Sequence, residues 1–272
     1  MGYSIGIVPY TNMRPYSLVP PPAGCDLVQL SPRHAVRAFN EGRLSAAAIP
    51  VGGLDAIEGQ YAFLSSFGIS ARGRVGSVLL FSRRPLGQLG DGCTLSLSGE
   101  SVTSNRLLYL LLGYERGFDN LPRLARPGGQ ADAELVIGDA ALQRLHHAPA
   151  PHVIDLAQHW WQRHGLPFVF ARWVIRRDAP EALKQSLSDW LERVSARRDQ
   201  WSPRVAQEAA MRIGITPEAA EAYLHGIHYR IDAAAQQGQM LFQQELKRHA
   251  RPALFSPAPV MEGMLQGTGS LG

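Results

Sequence analysis

The chain has 272 residues, enough for one large domain or two small ones and for a substantial buried core. Its composition, 45% hydrophobic and 18% charged, is that of an ordinary soluble globular protein, and no stretch reaches the ~18 uninterrupted apolar residues of a membrane span. The net charge of +4 comes almost wholly from arginine, Lys184 and Lys247 being the only lysines, and is spread along the chain. That argues against a nucleic-acid surface and leaves room for a pocket that takes a small anion. Cys25 and Cys93 lack metal-ligand spacing and read as structural thiols.

The opening MGYSIGIVPY has neither the basic region nor the apolar run of a signal peptide, so a cytoplasmic protein is expected. Tyr3–Val8 reads as a first strand ended by Pro9, and Thr11-Asn12 with Pro15 suggests a helix start. Asp26–Leu30 is a second strand. Ser31-Pro32 opens a helix through Gly42, with Ala35, Val36 and Phe39 on one face and Arg33, Arg37 and Glu41 opposite. Leu44–Val51 returns as strand, and this alternation predicts a mainly parallel sheet with helices on its faces. Val75–Phe81 is a buried strand. Leu95–Ser98 begins a second unit, and Ser101–Ser104 caps a leucine-rich helix over Asn105–Gly113. Leu135–Gly138, Val153–Leu156 and Phe168–Ile175 are further strands. Helices are predicted over Ala179–Arg198, Pro203–Ile213, Pro217–His225 and Tyr229–His249, and the Pro-, Gly- and Ser-rich 251–272 is expected to be a mobile tail. Patterning alone supports an α/β protein of one or two lobes.

Several short runs could carry chemistry. IGDAAL (137–142) looks like a strand that stops at Gly138-Asp139 and enters a helix, the place where open α/β sheets bind ligands. Asp139 can serve there as a helix cap. Asn12, in TNMRP, is either an Asx-turn or N-cap residue or an amide facing a ligand. Ser77, in GSVLLFS (76–82), is either a buried hydroxyl bonded to a nearby carbonyl or a ligand contact. Ser101, Thr103 and Ser104 offer hydroxyls and free N–H groups at a positive helix end, as a plain cap or as an anion site. The nine histidines form no HxxxH or HxH pair, and His146-His147 reads as a solvated pair.

Taken with GLPFVFARW (165–173) and the DL…W pattern of Asp155-Leu156 and Trp160, these segments resemble the chorismate dehydratases of the futalosine route to menaquinone, over roughly residues 4 to 250 and in the same order. The resemblance implies the two-lobed, type II periplasmic-binding-protein-like fold, with lobe 1 built from residues 1–82 plus 175–250 and lobe 2 from 83–174. Val78–Arg83 and Val169–Ile175 would be the crossings, and the C-terminal helices would pack on lobe 1. It implies dehydration of chorismate to 3-[(1-carboxyvinyl)oxy]benzoate in the interlobe cleft, without metal or organic cofactor and without a nucleic-acid or membrane partner. Asn12 and Ser77 would be catalytic, and Ser101, Thr103, Ser104, Gly138 and Asp139 would bind substrate. This chain departs from the family pattern at Arg14, at Gln158 and His159 in place of an acidic stretch, and at His164 in place of a common Thr. The competing readings are an anion-binding protein of the same fold without turnover, and the dihydroxynaphthoate synthase of the same pathway.

Overall fold

The computed structural model describes residues 2–126, 129–148 and 150–249. Tyr3–Ile7 (β1) ends at Pro9, and after one 3-10 turn over Thr11–Met13 the short helix Pro15–Leu18 (α1) begins on a proline, whose fixed φ suits a first turn. Cys25–Gln29 (β2) lies parallel to β1. Ser31 caps Pro32–Asn40 (α2), which turns Ala35, Val36, Ala38 and Phe39 inward, onto Ala46–Pro50 (β3), a strand buried at every position. Tyr61–Ala71 (β4) is the longest strand, and Val78–Ser82 (β5) follows.

The second unit comprises Thr94–Ser96 (β6), Thr103–Arg116 (α3), Arg123–Leu124 (β7), Ala133–Ile137 (β8), Gly138–His147 (α4), His152–Asp155 (β9) and Leu156–His164 (α5). Phe168–Arg176 (β10) then leads to Glu181–Ala196 (α6), Arg198–Ile213 (α7), Pro217–Gly226 (α8), His228–Arg230 (β11) and Ala233–Arg248 (α9). The strands form two sheets, a six-stranded one in the order β11-β4-β10-β3-β1-β2 and a five-stranded one in the order β7-β6-β8-β5-β9. The C-terminal segment returns to the first sheet: β11 pairs with β4, α6 packs on β4 and α9 on β10. This is the periplasmic-binding-protein-like α/β architecture that the sequence implies.

Three expectations are corrected. The sheets are mixed, since β10 runs antiparallel to both β3 and β4, and β5 antiparallel to both β8 and β9. The segments expected as crossings lie wholly within single sheets: β5 is internal to the second and β10 to the first. The chain passes between sheets just before each of them, at 72–77 and at 165–167. The helix expected from Pro203 starts instead at Arg198 and runs through that proline at the loss of one backbone hydrogen bond. The tail over 251–272 lies outside the described residues.

Asp155 holds the first crossing in place. It ends β9 and caps α5, its Oδ1 accepting from the N–H groups of Ala157 (3.1 Å) and Gln158 (3.2 Å). Its Oδ2 accepts from Val75 (2.9 Å) and Gly76 (2.7 Å), in the crossing itself. Burial pushes this carboxyl upward, and the backbone donors at Gly76, Gln158 and Val75 oppose that push. Asp155→Ala is expected to cost about 3 kcal/mol, from a lost cap and two unmet buried donors, lowering Tm by roughly 6–12 °C. Asp155→Asn, which keeps an accepting oxygen, should cost clearly less. Thermal unfolding of both variants checks the order.

Candidate functional site

β1 and β8 each end at the gap between the sheets and each hands over to a helical turn: Thr11–Met13 after β1, and α4 after β8. Between them, with the start of α3 completing the wall, lies a cavity of about 90 Å³. That is severalfold the space that one water needs. Its walls are largely apolar, with Val8 and Phe170 from the first sheet and Val78 and Ile137 from the second. No charged side chain is among the lining residues. Of the candidate residues, Asn12, Ser77, Ser101, Thr103, Ser104 and Gly138 are brought together on this wall.

Their hydrogen bonds divide them by role. Ser101, one residue before the Val102 N-cap of α3, holds the first turn of that helix, its Oγ accepting from Ser104 N–H at 2.9 Å. Thr103 fastens the two lobes: its Oγ1 accepts from Gly52 N–H at 3.0 Å and donates to the Phe170 carbonyl at 3.2 Å. The nearly buried Ser104 therefore carries the hydroxyl of this run that stays open to a ligand. Asn12 caps no helix, and only its backbone is engaged, the carbonyl accepting from Tyr229 Oη at 2.8 Å. Its amide Oδ1 is buried with no partner, a state that costs about 1–3 kcal/mol unless a ligand relieves it. An amide can turn either its donor or its acceptor to that ligand. Ser77 is buried as well, and its carbonyl accepts from Gly138 N–H at 2.8 Å, tying the crossing to the turn after β8. Gly138 has φ +63°, and a Cβ there would meet the Tyr10 ring at 3.0 Å, so glycine is needed on both counts.

Asp139 is the exception. It is not among the lining residues, and it does not cap its own helix. Its carboxylate spans the lobes, Oδ1 accepting from Thr11 N–H at 3.0 Å and Oδ2 from Arg212 Nη1 at 2.6 Å, while Arg212 Nη2 reaches Thr11 Oγ1 at 2.8 Å. The charge is spent between the lobes, and the carboxylate does not line the cavity. Tyr10, overlooked in the sequence, does line the cavity. Its Oη donates to Glu100 across the gap at 2.7 Å, and burial followed by that bond holds the phenol well above its ordinary range. Only a pairing set by the tertiary fold could reveal Tyr10 or Arg212. The departures from the family pattern stay off the wall: Arg14 pairs with Glu208, Gln158 lies against Gly73 at the crossing, and the His164 ring lies tilted against Trp160.

A protein family described as Menaquinone biosynthesis matches residues 3–248. A chorismate dehydratase from Thermus thermophilus is 30% identical over 279 residues, which cover 93% of this chain and 98% of that one. A 1,4-dihydroxy-6-naphthoate synthase from the same organism is 30% identical over 161 residues, 56% of each chain. Among solved structures, an alkanesulfonate-binding protein from Xanthomonas axonopodis bound to MOPS superposes with a TM-score of 0.63 at 15% identity, covering 90% of this chain and 93% of that one, which shows a shared fold.

If Asp139 serves closure, Asp139→Asn should weaken ligand affinity modestly. The amide keeps an acceptor for Thr11 and loses the ion pair with the half-exposed Arg212, for which a loss of up to about fivefold is in scale. Arg212→Met should do the same. Titration calorimetry with a cleft ligand checks this, and loss of all binding in a folded Asp139→Asn protein would return the carboxylate to the site.

Proposed function

The chain belongs to the menaquinone biosynthesis family, and from that premise we propose that it is a chorismate dehydratase, forming 3-[(1-carboxyvinyl)oxy]benzoate in the cavity between its lobes. The observation that carries the reading is a largely apolar cavity wall with a few neutral hydrogen-bonding groups, where the Asn12 amide has a buried atom without a protein partner. The reaction removes a ring hydroxyl and the neighbouring ring proton as water and leaves an aromatic ring. Aromatisation supplies the thermodynamic pull, so the protein must orient the substrate, stabilise the departing hydroxyl and provide for the proton.

The two substrate carboxylates meet no cation on the wall. They fall to the Ser104 hydroxyl and to backbone N–H groups at the starts of α3 and α4, where the helix dipoles favour negative charge. Asn12 and Ser77 hold the departing hydroxyl. Among the described residues, the wall also has no carboxylate or imidazole to act as base. The enolpyruvyl carboxylate of the substrate stands close to the ring carbon that loses its proton, and we assign it that role. Orientation of this kind is worth ~7–11 kcal/mol in favourable cases, enough for a site of neutral groups to be effective. Cytoplasmic placement goes with this reading. The naphthoate synthase matches over about half its length and supports its own reading less far.

Purified protein incubated with chorismate in the presence of a chelator should yield the aromatic acid, followed by chromatography and mass spectrometry. Undiminished chorismate with folded protein would overturn the assignment. Asn12→Ala and Ser77→Ala should each lower kcat by roughly a hundredfold, the scale of losing one preorganised donor. Tm should stay near that of the parent, since neither side chain bonds to the protein.

A further inference from the structure

Beside the Gly76-Ser77 turn stands Tyr223 of α8. Its ring packs beside Gly76: a Cβ built on that glycine would lie 3.9 Å from Tyr223 Cδ2. Gly76 has φ +75°, which turns the chain so that Ser77 enters β5 directly after the clamp from Asp155. The Tyr223 hydroxyl is buried and makes no hydrogen bond. Ser77 is near enough to ease the burial that holds this phenol above its ordinary range, but the two hydroxyls fall short of hydrogen-bond geometry.

A buried hydroxyl without a partner destabilises a fold, and phenylalanine would fill the same space without that cost. A protonated phenol can donate to Ser77 Oγ or accept from its hydroxyl, and only the first leaves the Ser77 hydrogen free. A serine hydroxyl carries a single hydrogen. If Ser77 Oγ accepts from Tyr223, its own hydrogen is directed into the cavity, where the dehydratase reading needs a donor. If Tyr223 is silent, Ser77 can turn that hydrogen back toward the protein.

We propose that Tyr223 is a positioning residue for the dehydration: with substrate bound, its phenol donates to Ser77 Oγ and so orients the Ser77 hydroxyl as a donor to the departing ring hydroxyl. The step moves no proton between protein groups. Asn12 and Ser77 touch the substrate, and Tyr223 acts only through Ser77. The proposal rests on the dehydratase reading.

The test is a double-mutant cycle with Tyr223→Phe, Ser77→Ala and both together, read as kcat, KM and Tm. Turnover by the parent protein is measured first. Its absence would overturn the dehydratase reading itself, whereas every result below presupposes it and bears on Tyr223 alone. Tyr223→Phe should lower kcat about tenfold, the scale of one neutral hydrogen bond. KM should change by less than about twofold, and Tm should stay level or rise. In the Ser77→Ala background the same change should have almost no effect on kcat. The defect should be equal between about pH 6 and 9, below the ordinary phenol range. Parental kcat in Tyr223→Phe would overturn the proposal, as would an equal loss in both backgrounds or a defect that grows with pH. A Tm several degrees lower would also overturn it, because the hydroxyl would then have a structural partner.

Discussion

The Asp155 carboxylate is the constraint on which the two-lobed arrangement rests. Four backbone N–H groups converge on it, two from the helix it caps and two from the segment that crosses between the sheets. The crossing it holds leads directly into Ser77 and β5, so the same bonds that start α5 set where the Ser77 hydroxyl lies. Ser77 in turn receives the N–H of Gly138, which fixes the turn after β8 against Tyr10. One buried acidic group thus aligns a hinge, a helix and a wall of the cavity. Its four preorganised backbone donors offset only part of its desolvation, and the carboxyl stays above its ordinary range.

Among the described residues, the cavity wall carries no positively charged side chain. Arg212 lies at the edge, committed to Asp139, and Arg14 to Glu208. Keeping cations out of the cavity has a chemical consequence. A substrate carboxylate bonded only to neutral donors is a stronger base than one paired with a guanidinium, and the proposed mechanism needs it to be a base. Charge is instead used where the lobes meet: the Asp139–Arg212 pair and the Tyr10–Glu100 bond span the gap.

Stability and function pull apart at particular atoms. Thr103 and Ser101 spend their hydroxyls on the fold, while Asn12 Oδ1 and Tyr223 Oη are buried and unpaired. Such orphaned groups weaken the empty protein and mark where a partner is missing. The unpaired Oδ1 sets Asn12 apart from the capping Ser101, although both look alike at the start of a helix.

Local rules were sufficient for the elements with regular patterns. The Pro9 stop, the Ser31-Pro32 start of α2, the strand–turn–helix of IGDAAL and the buried GLPFVFARW strand all follow from side-chain periodicity, proline geometry and glycine freedom. The family resemblance added the two-lobed plan and the set of cavity residues. Other features depended on partners distant in the chain. β4 is the longest strand yet was not legible, because Ser65 at φ +50° and two register shifts against β10 break its alternation. β11 has three residues and exists only by pairing with β4. Which sheet owns β5 or β10 is set by hydrogen bonds between strands, and a buried apolar run fits either sheet equally well. Asp139 as a bridge and Tyr223 beside Ser77 each need a partner from the C-terminal helices. Sequence specifies what each residue can do locally, and the tertiary structure decides which distant group it does it with.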